Sequence, residues 1–316
     1  MDTEIFAEWL RLQGFKVIRT TSSYWYEIKP RIYQAFPYHW LITPTSSELS
    51  EFVMRNKVLA ARFSTPIQEN IGCVSYHAVL EETDYGIEKL GKWARKNVRR
   101  GLNHCTVEPI SFERIINEGW LLQIDTLTRQ KRDIVMTATA WQTICLGAAS
   151  LPGFTAWGAL VGSHLAASVI TFQMEDWAYM LYQQCNHEYL EEHVNNALSF
   201  VVTTNLLQQP GIKSILYGLH SLDAPPSVDE FKFRMGYSAK TVRQRVFFHP
   251  LITPLIQPLS QKILKISRKV FPTSSLFAKA EGMVRFYLQG KRSLAEQEWP
   301  TILEEHKDEI IAQATR

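Results

Sequence analysis

The sequence predicts an α/β fold: a mixed, mainly antiparallel, twisted sheet flanked by helices and followed by a helical tail. Three observations predict it. The runs FTAWGALV, HLAASVITFQM and WAYMLYQQC are rich in strand formers and joined by the two-residue links Gly162-Ser163 and Glu175-Asp176, the pattern of an antiparallel meander. Segments of helical period stand before and after it. Residues 251–292 then carry eight Lys or Arg against one acid, Glu281, on helical spacing.

Taken in order, residues 4–12 read as a helix leading into short strands at 17–19 and 24–27. Thr45 and Glu48 have the spacing of a capping box for a helix ending near residue 56. Residues 58–63 and 73–79 read as strands. In GKWARKNVRRGLNH, residues 91–104, Leu90, Ala94, Val98 and Leu102 recur with Ile87 at three- and four-residue steps and share a face. Lys92, Arg95, Lys96, Arg99 and Arg100 fall mainly on the other side. A strand at 106–109, a long helix at 112–129 and another at 137–148 precede the meander. After it, a helix over 193–207 stops at Pro210-Gly211, and KSILYG is a strand. Ser227 and Glu230 suggest a second capping box for a short helix at 228–235, with Gly236 at its C-terminal stop. YSAKTVRQRVFF is the last strand. In the tail, Leu259, Ile263, Ile266 and Val270 form a stripe, with Lys262, Lys265, Arg268 and Lys269 elsewhere on the wheel. The stripe is expected to pack on the domain; the alternative is an anionic membrane surface. Pro272 stops that helix, residues 275–288 form another, and Ser293 with Glu296 caps a third that is interrupted at Pro300.

The totals limit the function. The 316 residues are 46% hydrophobic and 21% charged, as in an ordinary globular protein, and the net charge of +3 implies no polyanionic partner. Cys73, Cys105, Cys145 and Cys185 contain no CxxC spacing, so neither a disulfide framework nor a zinc ribbon is expected. With no signal-peptide pattern at the start, a cytoplasmic protein is expected. Residues 134–174 lack Asp, Glu, Lys and Arg but are broken by Pro152, Gly153, Gly158 and Gly162, so no membrane span is expected there. The chain has no GxGxxG after a strand, no GxxxxGK[ST], no HExxH and no GxSxG.

The order helix, long helix, meander, helix, strand, short helix, strand resembles the GNAT superfamily of acyltransferases, and within it the FemAB-like branch. The resemblance covers residues 91–249. It rests on KWARKNVRRGLNHCTV before a strand, on the strand pair GALVGSHLAASVITF, and on Phe231 and Lys232 ahead of Gly236 in DEFKFRMGY. It implies two GNAT-like halves: residues 1–86 as a smaller first half, 87–250 as the acyltransferase domain, and 251–316 as the tail. It also implies that an amine attacks a thioester or ester carbonyl without a metal. Such chemistry needs a holder for the donor, a cation or donor group for the developing oxyanion, and a route for the amine proton.

Carried over by motif, Lys232 stands near the reacting carbonyl or the donor phosphate; an exposed helix lysine is the bland alternative. Phe231 stacks on the donor or belongs to the core. Arg95, Arg99 and Arg100 are donor-binding candidates, with a solvated face as the alternative. His220, Asp223 and Tyr182 are candidates for proton transfer, His220 because it follows the strand SILYG, at a strand end where open sheets bind ligands. Asp229 competes with Asp223 as proton acceptor. Cys185 with His187 suggests a thiol or metal pair, against a buried strand cysteine. No permanently bound cofactor is expected. The GNAT phosphate loop is glycine-rich, whereas CNHEYLEEHVNN has no glycine and carries Glu188, Glu191 and Glu192. That departure keeps three donor classes open: acyl-CoA held differently, an acyl-carrier protein, or aminoacyl-tRNA. The acceptor implied is an amine on an amino sugar or cell-envelope precursor, met at the inner face of the membrane. Two competing readings are a non-catalytic GNAT-fold protein that binds a nucleotide, lipid or protein, and a protein that binds RNA or a membrane surface through its basic helices.

Overall fold

Residues 2–82, 84–130, 136–222, 226–271 and 274–314 are described by the computed structural model. In chain order they form α1 (Thr3–Leu12), β1 (Val17–Arg19), β2 (Tyr24–Lys29), β3 (Ile32–Phe36), α2 (Ser46–Asn56), β4 (Ala60–Thr65) and β5 (Cys73–Leu80). Then come α3 (Lys92–His104), β6 (Thr106–Ile110), α4 (Phe112–Arg129), α5 (Ala138–Ser150), β7 (Phe154–Val161), β8 (His164–Met174) and β9 (Trp177–Cys185). The rest is α6 (Val194–Leu207), β10 (Ser214–Leu219), α7 (Pro226–Arg234), β11 (Ser238–Phe248), α8 (Pro258–Val270), α9 (Ser275–Gln289) and the short helices Thr301–Glu304 and Lys307–Ala314. The mixed, mainly antiparallel α/β class expected from the sequence is the one found. β3 is the strand that sequence reading missed.

These elements fall into two units, each assembled from separated stretches of chain. The first takes Met1–Gln13, Ala78–Gly218 and Pro225–Ser238. Its strands run β10-β9-β8-β7-β6. Each neighbouring pair from β9 to β6 is antiparallel, while β9 and β10 are parallel. One face of the sheet carries α3 and α6 over Val98, Val169, Met180, Ala197 and Leu198. The other carries α4 and α5 over Ile115, Trp141, Cys145 and Ile170. Trp141 is fully buried and donates its indole N–H to Ile115 O at 3.0 Å, so its polar atom is satisfied in an apolar site.

The apolar face of α3 differs from the expected one. Ala94, Asn97, Val98 and Gly101 are buried, whereas Leu102 is exposed. The reason is close helix packing: a Cβ on Gly101 would stand 2.4 Å from His193 O and 2.9 Å from Ala197 Cβ of α6. Only glycine lets the two backbones approach this far.

The second unit takes Gly14–His77, Leu219–Ala224 and Ala239–Arg316. Its strands run β1-β2-β3-β4-β11, with the start of β5 next to β11. Trp25, Tyr33, Phe52 and Phe63 pack with α2, and Phe248, Met283, Val284 and Phe286 form a separate cluster with α9. Only half of the first capping box forms. Thr45 Oγ1 accepts from Glu48 N at 3.1 Å, but the Glu48 carboxylate accepts instead from Ser22 N at 2.8 Å and Ser22 Oγ at 2.7 Å. At α7, the helix starts at Pro226, which places Ser227 inside the first turn and not at its cap.

A buried polar line crosses the second unit. Arg62 Nε donates to Gln244 Oε1 at 2.9 Å, Gln244 Nε2 donates to Ser64 Oγ at 2.6 Å, and Ser64 Oγ lies 2.7 Å from His77 Nε2. His77 is 2% exposed, and burial, helped by the Arg62 charge, lowers its pKa to about 3. The unfolded chain binds a proton on this ring near the ordinary histidine pKa, and the folded chain does not until far lower pH. Stability contributed by the neutral ring is therefore full above pH ~6.5 and is lost as pH falls, at about 1.4 kcal/mol per unit and about 2 kcal/mol by pH 5. Urea midpoints at pH 7.5 and 5 should show this loss, and His77→Gln should remove it. An equal acid slope in the variant would contradict the assignment.

Candidate functional site

Two side chains on α7 form the centre of the first unit's polar site. Asp229 and Lys232 are three residues apart, so they share a helix face. Both are buried, at 7% and 8% exposure, and Lys232 Nζ meets Asp229 Oδ1 at 2.6 Å. A buried ion pair repays its desolvation poorly as a stability device, which makes this pair the candidate for a functional role. Lys232 Nζ also lies 5.3 Å from the centre of the Tyr217 ring, at the end of β10. It stands beside Gly218, where an added Cβ would come to 3.6 Å. α7 is held in place at its end: Gly236 adopts φ +91, and Tyr85 Oη donates to Met235 O at 2.9 Å.

From Tyr217 the site continues into β9 and α6. Tyr217 Oη donates to Gln183 Oε1, and Gln183 Nε2 donates to Asn195 Oδ1 at 2.8 Å, in the first turn of α6. Tyr237 meets the Tyr217 ring edge-on at 5.0 Å and shares a hydrogen bond of 2.8 Å with Thr203. Burial, reinforced by Tyr237, Asp229 and Tyr85, pushes the Tyr217 phenol well above its ordinary pKa. The hydroxyl therefore keeps its proton and acts as a donor. The β9–β10 ladder runs only from Ser214–Trp177 to Leu216–Tyr179. Beyond it, the neighbouring ends of the two strands carry backbone groups outside that ladder, beside Tyr217 and Gln183.

Gln183 reaches this site because of a bulge. The β8–β9 register shifts between Ser168 and Ile170, whose partners are Gln184 and Leu181, so Tyr182 and Gln183 stand opposite Val169 alone. Tyr182 takes φ +46. Strict alternation would send Leu181 and Tyr182 to opposite faces. Instead both join the α4–α5 face, and Gln183 turns to the Tyr217 side. Tyr182, a proton-transfer candidate by sequence, has its ring packed edge-on against Trp9 at 6.3 Å and Trp141 at 5.7 Å.

His220 belongs to the second unit, where its ring stacks on Tyr76 at 4.5 Å and Nδ1 lies 3.2 Å from Ser75 Oγ. Asp223 lies outside the described residues. Phe231 packs on the apolar core under α3 and α6. Arg95 and Arg99 both pair with Glu88, at 3.0 and 2.8 Å, in an exposed cluster. Arg100 behaves differently: burial, and then the charges of Arg100 and Lys96, lower the pKa of His193, just before α6. The start of α6 thus has two cations at hand as well as Glu188, Glu191 and Glu192 in the preceding turn. Cys185 is buried and its thiol is pushed up to about 12, which disfavours a thiolate. His187 is engaged with Asp125 at 2.6 Å. No group of three or more His, Cys, Asp or Glu is placed to hold a metal ion among the described residues. Tyr217, Gln183 and Asn195 join this candidate site without having been nominated by the sequence.

No family model matches the chain, and no curated protein matches it in sequence. Solved structures share its fold. FemX is similar with a TM-score of 0.57 over 80% of this chain and 93% of FemX, at 10% identity. The C-terminal domain of a protein assigned as lysylphosphatidylglycerol synthetase from Agrobacterium fabrum is similar with a TM-score of 0.50, over 78% of this chain and 87% of that domain, at 12% identity. A conserved protein of unknown function from Bacteroides thetaiotaomicron gives 0.51, over 76% and 87%, at 10% identity. The chain therefore shares its fold with FemX, in keeping with the FemAB-like resemblance of its motifs.

Proposed function

We propose that this protein is an N-acyltransferase or aminoacyltransferase, passing an acyl group from a thioester or ester donor to an amine. The observation that carries the reading is the buried Lys232–Asp229 pair set against Tyr217 and, through it, the bulge residue Gln183. The fold shared with FemX supports acyl transfer in general. For the acceptor we propose an amine on an amino sugar or cell-envelope precursor, met on the cytoplasmic side of the membrane. For the donor we propose acyl-CoA, an acyl-carrier protein or aminoacyl-tRNA, with Arg100 and Lys96 beside the start of α6 as the phosphate-facing cations.

In this mechanism the amine lone pair attacks the acyl carbonyl, a C–N bond forms, and the carbonyl oxygen takes up negative charge. Lys232 Nζ stabilises that oxygen, with Asp229 fixing its position. The C–S or C–O bond then breaks, and the Tyr217 hydroxyl turns its one O–H from Gln183 Oε1 to the departing sulfur or oxygen, which leaves with that proton as the thiol or alcohol. The amine proton goes to a general base and from it to the Tyr217 phenolate, which closes the proton balance; the base nominated by the sequence, Asp223, lies outside the described residues. Tyr217→Phe keeps the ring and removes the donor. It should lower kcat on the order of 10²-fold and cost only about 1 kcal/mol of stability. Unchanged kcat in steady-state kinetics would remove Tyr217 from the mechanism.

The reading is tested by incubating the purified protein separately with acyl-CoAs, charged carrier proteins and charged tRNA, then measuring retained donor by native mass spectrometry. Retention of one class is expected. Retention of none would favour the competing reading, a non-catalytic binding protein of the same fold, which draws on Glu188, Glu191 and Glu192 standing ahead of α6.

A further inference from the structure

The helix α8 is turned the opposite way from an ordinary surface helix. Its packed side carries Leu264, which joins the apolar cluster of α9, and Gln261 and Arg268, which reach Glu281 at 3.3 and 3.8 Å. The apolar stripe lies on the far side. Leu259, Ile263, Ile266 and Val270 are 67%, 56%, 62% and 63% exposed. Leu251, Leu255 and Phe271 extend the exposed apolar surface at the two ends of the helix. The expectation that this stripe packs on the domain is thus corrected: the polar side packs, because Glu281, 2% exposed, draws Arg268 and Gln261 to it.

We propose that this face of α8 rests on a lipid bilayer bearing anionic headgroups. Lys262, Lys265 and Lys269 are exposed and flank the stripe along one side. α8 contains no Asp or Glu, and the one acid in residues 251–292 is the buried Glu281. An apolar stripe edged by cations alone matches the two layers of an anionic membrane surface. The aliphatic side chains enter the acyl boundary, while the lysine stems reach back to the headgroup phosphates. At 13 residues the helix is about 20 Å long, enough to lie in the interface and too short to span it. The same charges disfavour an antiparallel second copy as the occupant, since that two-fold pairing of this face brings its lysines against themselves. The proposal stands independently of the acyl-transfer reading.

The test is flotation of the full-length protein with vesicles, without donor or acceptor present. It should rise with phosphatidylcholine vesicles holding about a third phosphatidylglycerol, and stay behind with phosphatidylcholine alone. Ile263→Ser with Ile266→Ser should cut the bound fraction about tenfold, as should Lys262→Glu with Lys265→Glu and Lys269→Glu. All five side chains are exposed, so circular dichroism and melting should match the unsubstituted protein. No flotation, equal flotation with neutral vesicles, or flotation untouched by either variant overturns the proposal. So does a vesicle-free dimer that the Ile263→Ser, Ile266→Ser variant abolishes, which would make a second copy the occupant.

Discussion

Replacing Lys232 with methionine should lower acyl transfer about 10³-fold and also destabilise the protein by about 3 kcal/mol. The two losses have different causes. Stability falls because the Asp229 carboxylate, 7% exposed, loses the ammonium 2.6 Å away. Rate falls because the donor to the oxyanion is gone. The double variant Lys232→Met, Asp229→Asn separates them. A neutral amide beside a thioether carries no buried charge, so stability should return to within about 1 kcal/mol of the unsubstituted protein. Activity should not return. A double variant that is both stable and active would reduce the pair to a packing device. Urea melts and initial rates on the same preparations decide between these outcomes.

Gly101→Ala should cost about 3 kcal/mol, although alanine is the better helix former. Propensity alone favours the substitution by at most about 1 kcal/mol. Against that stands a methyl group 2.4 Å from the His193 carbonyl oxygen and 2.9 Å from Ala197 Cβ. The nearest atom belongs to backbone, so no rotamer change relieves it, and α3 must move away from α6. Gly91→Ala at the start of the same helix is the control, since nothing lies within 4 Å of its added Cβ. It should change stability by less than about 1 kcal/mol. Asn195 is two residues from His193, so the shift should also disturb its bond to Gln183 and lower activity beyond the loss of folded protein. A urea midpoint for Gly101→Ala equal to or above that of the unsubstituted protein would contradict the packing described.

Much of this was readable from the sequence, for reasons tied to particular residues. The meander was visible because its strands are long and its links have two residues. Lys232 was nominated because Phe231 and Lys232 keep their motif spacing to Gly236, just past the end of a short helix. Gln183 was hidden because side-chain parity along β9 holds only until the bulge at Tyr182, and nothing in WAYMLYQQC announces that shift. Parity without the bulge nominates Tyr182, whose ring lies against Trp9 and Trp141. Tyr217 was hidden among apolar strand residues. The Arg95 and Arg99 pairing with Glu88 depends on a helical approach of residues seven and eleven apart, beyond the usual i+3 and i+4 neighbours. The interleaving of the two units was also not legible, because it depends on β11 pairing with β4, far away in sequence. In α8 the stripe was evident, but its direction was set by one distant acid, Glu281.

The most direct measurement is the mass of an amine acceptor after incubation with the donor class that the protein retains. The account predicts that the acceptor gains one acyl group through an amide bond with the unsubstituted protein, and gains almost none with the Lys232→Met, Asp229→Asn variant. A retained donor with no mass gain on any amine, or equal gain with both proteins, would contradict it.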